Sequence, residues 1–437
     1  AIDFRKILLK STNNPNDLFI LNMMTNRSKR MNLIADIKDV SNQESDPFDH
    51  DLDLLGFKNG VYDLKKEEFR QYKPSDMISM IIPHDYQEAT QEDVVFIDNW
   101  FDQIMPLKQE KEFLLKCLST SLYNKTVQNL FFLSGRGGNG KDCLIDLMKC
   151  LLGYDLSYIG NSVILTQPIK EGANPEVANL HKKRCVFFNE PSSKKELCCA
   201  TMKYISGSSE INARGLYQNN TKTLLRLSSF ITCNDIPKLD HIDEAFARRA
   251  MIIPFRSLFK TRDEIDEMPE NTEHIHESDT YYISDEFRNK YKMAFLQLLI
   301  KYYKEFKADG YLIKNIPNTI KQASKEYMAD CDDFSQWLLT KYEKSDNKDD
   351  FIKMKDIYTE FKCSDLWENL SKKERRTLTY KRLCLTTSRN PTLRMYFKER
   401  LQNKVNGKQV NIRNALIGWK LKTGFDDEEM LEIIDDE

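Results

Sequence analysis

The chain has 437 residues, 41% of them hydrophobic and 30% charged, with a formal net charge of −2. That length accommodates two or three domains with real cores, and the near-neutral balance leaves any nucleic-acid contact to local patches. Ten cysteines without a C-x-x-C pair and six unclustered histidines argue against a disulfide framework or a zinc site. No apolar run reaches the ~18 residues that would cross a bilayer, no signal peptide is evident, and a start at Ala1-Ile2-Asp3 is what a piece of a longer protein would show.

In chain order, residues 1–95 mix short apolar runs with polar stretches, and "LLGFKNGVYDLKKEEFRQY" (54–72) reads as two strand-like pieces around Asn59-Gly60, a hairpin signal. Asp51-x-Asp53 mimics paired metal carboxylates, but no third carboxylate strand accompanies it. Residues 96–128 have helical spacing in Ile97, Trp100, Phe101 and Ile104, then Phe113, Leu114 and Leu118. From 129 to 255, buried-strand runs alternate with helical patterns, which predicts an α/β fold with a parallel sheet. Residues 261–280 are acidic and polar and are expected to form an exposed loop that leaves His274 and His276 solvated. Two helical stretches follow, about 284–307 and 316–343, then a terminal module over 344–437.

Residues 135–142, GRGGNGKD, fit seven of the eight positions of the phosphate-binding loop G-x-x-x-x-G-K-[ST]. The loop follows the apolar run "NLFFL" (129–133) and precedes Leu144, Leu147, Met148 and Leu151 at helical spacing, with Gly153 as a helix stop. In the order strand, glycine loop, helix, the candidate binding residues are Gly135, Arg136, Gly137, Gly138, Asn139, Gly140, Lys141, Asp142 and Cys143. The glycines let backbone N–H groups approach phosphate oxygens, and Lys141 reaches the β/γ-phosphates. Asp142 stands where a hydroxyl would touch Mg²⁺. A second strand, "RCVFFNE" (184–190), ends in Asn189 and Glu190, and Glu190 is available as a base. The predicted metal positions are therefore Asp142, Asn189 and Glu190. "FITCN" (230–234) ends in Asn234, suited to orienting a lytic water, and Arg248-Arg249 precede "AMIIPF" (250–255). "EINARGLY" and "KTLLRLSSF" read as a hairpin in which Arg214, Tyr217 and Lys222 could meet phosphates or stack on bases.

The order of the phosphate loop, "VFFNE", "ISGSSEINARGLY", "ITCNDIP" and "DEAFARRAMIIPF" resembles the superfamily 3 helicases. It resembles most the helicase half of the poxvirus-type primase–helicases of large cytoplasmic DNA viruses. Lys203, Ser206, Gly207, Ile211, Ala213, Arg214, Leu216 and Tyr217 match that family's middle motif, while Ser208 and Ser209 replace its Gly and Asp. "GFKNGVYDL" (56–64) resembles its pre-helicase domain, and the tail resembles its C-terminal winged helix loosely. The resemblance implies an AAA+-like P-loop ATPase core, a small α+β/helical domain before it and a winged-helix-like module after it, at 1–95, 96–310 and 311–437. It further implies a homo-hexameric ring using ATP and Mg²⁺ on DNA in the host cytoplasm. Arg248 or Arg249 would act as an arginine finger on the next subunit, with an upstream primase domain and replication proteins as partners and no membrane. The alternative is a degenerate ring protein that binds nucleotide without efficient hydrolysis, motivated by Asp142 and Asn189. Residues 372–420 carry fourteen Lys and Arg against Glu374 and Glu399, a phosphate-binding patch. Residues 426–437 (DDEEMLEIIDDE) are acidic, the composition of a solvated tail or of one that folds back or docks a partner.

Overall fold

The computed structural model describes residues 26–41, 48–169, 174–213, 222–241, 244–268, 273–347, 349–370, 372–390, 393–405 and 408–422. Residues 1–50 and 51–437 form two compact units. The first contains the helix α1 (Arg27–Ser41). The expected boundaries at 95 and 310 fall inside the second.

The second unit opens with β1 (Leu54–Phe57), β2 (Gly60–Asp63), β3 (Glu68–Arg70) and β4 (Ile81–Ile82) in a sheet ordered β3-β2-β1-β4. The β1–β2 hairpin turns at Lys58-Asn59, because Phe57 pairs with Gly60, one residue earlier than the Asn-Gly pair suggested. Asn59 is held instead by Tyr86, donating to its carbonyl at 3.0 Å and accepting from its N–H at 2.8 Å. Asp53 accepts from the hydroxyls of Tyr303 at 3.0 Å and Tyr311 at 3.3 Å. Its carboxylate thus pins this sheet to a distant helix.

Helices α2 (Gln91–Ile104) and α3 (Lys108–Ser119) lead to the central sheet. Its strands are β5 (Leu130–Ser134), β6 (Ser157–Asn161), β7 (Cys185–Asn189), β10 (Ser228–Cys233) and β11 (Ala250–Pro254), all parallel and ordered β11-β5-β10-β7-β6. Between β5 and β6 runs α4 (Lys141–Leu156). Between β7 and β10 lie α5 (Cys199–Gly207) and the short strands β8 (Glu210–Asn212) and β9 (Lys222–Leu224), and α6 (Glu244–Arg249) precedes β11. The strands read as continuous apolar runs because both faces are covered. Phe131, Leu133, Phe187, Phe230 and Ile253 enter the core on one face with α2, α3, α4 and the long helix α7 (Asp285–Ala308). Leu130, Phe132, Phe188, Ile231 and Ile252 enter a second core with α5, α6 and α8 (Asn318–Asp330). Phe230 stacks between Phe131 and Phe187 at 5.1 and 5.2 Å, and each such buried ring contributes about 1.5–3 kcal/mol.

The third helical stretch of the sequence is two helices, α8 and α9 (Asp333–Lys341), broken at Cys331-Asp332, where Asp332 caps α9 by accepting from Ser335 N at 2.9 Å. The terminal module has its own core around Trp337, Ile357, Phe361, Leu383 and Trp419. The hairpin of Phe397–Val405 and Lys408–Ile417 flanks it.

Candidate active site

Because the five strands are parallel, their C-terminal ends lie on one edge of the sheet, the edge where open α/β sheets build ligand sites. β5 delivers the glycine loop there. Gly135 packs so tightly that a Cβ would lie 2.5 Å from Phe255 O and 2.6 Å from Asn139 Nδ2. Gly138 and Gly140 take left-handed backbone angles, φ +76° and +84°, that side chains rarely adopt. α4 begins at Lys141, so the N-terminal N–H groups and positive dipole end of this helix face the loop's mouth.

Lys141 is buried, with 7% of its surface exposed, and its Nζ donates to Gly135 O. Burial holds its ammonium below the ordinary lysine pKa, and Asp142 and Glu190 oppose that shift. Beneath it lies Cys233, whose thiol is pushed up to about 12 by burial and so stays neutral. β7 ends at Asn189, whose Oδ1 accepts from Thr232 Oγ1 at 3.2 Å. Glu190 follows with φ 39°, and its N–H donates to Thr232 O at 2.8 Å. A non-glycine residue in this region costs on the order of 1–3 kcal/mol, and the turn leaves the Glu190 side chain exposed at the sheet edge.

These groups share one cavity of about 480 Å³, within the range of small-ligand sites. Residues 137–143, Asn189, Glu190, Thr232 and Asn234 form one side. Gly135 and Arg136 do not line it; Gly135 sits under the loop and Arg136 is exposed. Asp142, Asn189 and Glu190 supply only oxygen-type donors, which suits a hard cation such as Mg²⁺.

The other side went unread in the sequence. Trp100, Ile104, Phe259, Tyr282 and Ile283 form an apolar and aromatic wall, with Ser278 and Asp279 beside it. The expected exposed loop at 261–280 is in part ordered structure: β12 (Leu258–Lys260) pairs in parallel with β13 (Ile275–Glu277). Phe259 N donates to Gly138 O at 2.7 Å, binding this strap to the glycine loop. His276 is half-buried and stacks on Phe259 with ring centroids 5.3 Å apart, rather than being solvated. Its polar sequence misled because a two-strand ribbon buries few side chains.

Arg248 and Arg249 are not in this cavity. They end α6, before the N-terminal end of β11, on the sheet edge opposite the glycine loop. Arg249 Nη1 donates to Ala245 O at 2.9 Å, and the exposed Arg248 lines a second cavity. β8 and β9 form the expected hairpin base, with Asn212 opposite Lys222. Arg214 and Tyr217 lie outside the described residues, as does the acidic tail, and of Lys222 only the backbone is described.

Comparison with known proteins bears on this arrangement. Residues 21–106 match the family described as D5 N terminal like. The chain is 29% identical over 354 residues to a protein of Acanthamoeba polyphaga mimivirus named "Putative helicase L207/L206", covering 78% of this chain and 36% of that one. It is 26% identical over 289 residues to "Primase D5" of fowlpox virus, covering 61% and 35%. The resemblance to viral primase–helicases is borne out. A monkeypox relative, 29% identical over 307 residues and covering 64% of this chain and 37% of that one, carries a different name, "Uncoating factor OPG117". The chain spans about a third of the length of these relatives. A solved apo structure of the NrS-1 C terminal region aligns at 14% identity and TM-score 0.42, covering 86% of this chain and all of that one.

Proposed function

We propose that the chain is the ATP-hydrolysing helicase part of a viral primase–helicase, acting on DNA as a ring. The observation that carries this reading is the single cavity joining the glycine loop and Lys141 to Glu190 and Asn234 across three parallel strands. Lys141 holds the β/γ-phosphates with the loop amides. Glu190, its side chain exposed at the sheet edge, accepts the proton of the attacking water, and Asn234 orients that water from the neighbouring tip. Asp142 and Asn189 would hold Mg²⁺, whose charge would screen the phosphates. The Trp100, Phe259 and Tyr282 wall takes the base. Hydrolysis then needs a positive charge opposite the γ-phosphate. With both candidate arginines on the far edge of their own sheet, the next subunit of a homo-hexamer supplies it.

The test is ATP hydrolysis with and without single-stranded DNA, together with unwinding of forked duplexes of both polarities. Mg²⁺-dependent, DNA-stimulated hydrolysis and unwinding are expected. Nucleotide binding with no hydrolysis under any divalent metal would favour the second reading, a nucleotide-binding ring scaffold, which the carboxylate of Asp142 beside the phosphates motivates.

A further inference from the structure

The second cavity, about 670 Å³, lies among α6, α8, α9, Asn390 and Leu393. Its wall is largely apolar, with Met251, Ile316, Met328, Leu339 and Leu393, and Leu339 is 47% exposed. Three cations, Arg248, Lys321 and Lys325, line it against one carboxylate, Asp332. That carboxylate is already engaged, accepting from Ser335 N at 2.9 Å and from the Asn390 amide. The cavity is therefore an apolar seat with excess positive charge at its edge, and it calls for an apolar occupant carrying negative charge.

The chain itself leads there. β14 (Tyr342–Lys344) pairs antiparallel with β15 (Trp419–Leu421), Lys344 opposite Trp419 and Tyr342 opposite Leu421. The run continues as Lys422 N donates to Lys341 O at 3.0 Å and Lys422 Nζ to Leu339 O at 2.6 Å. The strand thus runs back along β14 and arrives with Lys422 at the C-terminal end of α9, the helix whose Leu339, Gln336 and Ser335 stand in the cavity wall. The fifteen residues after Lys422, TGFDDEEMLEIIDDE, lie outside the described residues. They contain eight Asp and Glu, no Lys or Arg, and Phe425, Met430, Leu431, Ile433 and Ile434.

We propose that residues 423–437 dock into this cavity of their own chain, their apolar side chains against Leu339, Met328 and Leu393 and their carboxylates toward Arg248, Lys321 and Lys325. Reach is no obstacle, since fifteen residues extend to roughly 50 Å. Tethering next to the cavity gives the segment an effective concentration on the order of mM, so a weak intrinsic affinity suffices. A docked segment covers Arg248, one of the two candidate arginines of the function proposed above.

The test uses the full chain with the photo-crosslinking residue p-benzoylphenylalanine replacing Leu431. Irradiation should give adducts within the same chain on residues 321–339 or 390–393, with a yield unchanged on tenfold dilution. Leu339→Asp, at a half-exposed position, should lower that yield at least tenfold while the cooperative thermal transition is retained. Lys321→Glu with Lys325→Glu should lower it at low salt. Adducts mainly on the basic hairpin 397–417, adducts mainly between chains, no adduct, or a cavity adduct indifferent to Leu339→Asp would each overturn the proposal. None of these readouts depends on ATP hydrolysis, so the docking and the proposed function fail separately.

Discussion

Asp142 and Asn189 face one cavity from two elements, and each departs from the residue that the phosphate-loop pattern and the proposed hydrolysis would ordinarily place there. A carboxylate replaces the hydroxyl at the helix start, and an amide replaces the carboxylate at the strand end. On the proposed function, the two changes together would conserve the formal charge around a divalent ion. Asp142 is exposed, and with a nucleotide bound the helix dipole and Lys141 would offset its repulsion of phosphate. Asp142→Ala should therefore abolish Mg²⁺-dependent hydrolysis, and Asp142→Ser with Asn189→Asp should restore part of it, as read by steady-state phosphate release. If Asp142→Ala instead tightens nucleotide binding and leaves hydrolysis at the wild-type level, the carboxylate is a repulsive bystander.

At the scale of elements, the strap β12–β13 and the break in α4 each carry a prediction. Phe259→Ala removes a ring from the cavity wall while keeping the backbone bond to Gly138, so a fluorescent ATP analogue should bind roughly tenfold more weakly, about 1.4 kcal/mol. Gly153 interrupts α4 at φ 70°, ψ 177°, and a Cβ there would lie 2.4 Å from the Pro83 ring. Gly153→Ala should cost about 1–3 kcal/mol from the backbone alone, measurable as a lower urea midpoint with unchanged slope. The break at Gly153 was legible because glycine at the end of a helical pattern has one ordinary use. The central strands were legible for a related reason: a strand buried on both faces has no polar positions, and "NLFFL" and "RCVFFN" have almost none. The aromatic wall was not legible. Trp100 sits among Ile97, Phe101 and Ile104 on an amphipathic helix, and nothing in that spacing separates a ring facing a cavity from one facing the core. Phe259 and Tyr282 flank an acidic stretch whose pairing depends on a contact with a loop some 120 residues earlier in the sequence.

For the molecule as a whole, the proposed function makes assembly the decisive variable, because the arginines and the glycine loop lie on opposite edges of the sheet. Arg249→Ala should leave nucleotide affinity unchanged and cut hydrolysis by roughly 10³-fold, the scale of a lost arginine finger. Mixing it with Glu190→Gln subunits should recover activity, because some interfaces then pair an intact base with an intact finger. Full activity per subunit at concentrations where sedimentation shows only monomer would rule out the ring. Lys222→Ala should reduce DNA stimulation and unwinding while basal hydrolysis survives; equal loss of both would assign the hairpin a folding role.

The chain does not pause between the hairpin β8–β9 and the sheet. Residues 225–227 carry β9 straight on toward β10, with Leu225 and Leu227 buried, and β10 ends beside Asn234 at the cavity. From Lys222 to Asn234 this is one tie-rod on the order of 40 Å long at the rise of an extended chain. A rod has phase as well as length. Deleting one residue within 225–227 would invert every side chain of β10, exchanging Phe230 and Ile231 between the two cores. Single-residue insertions are therefore intolerable along this shaft. A pull on one end of the rod arrives at the other as displacement rather than as slack.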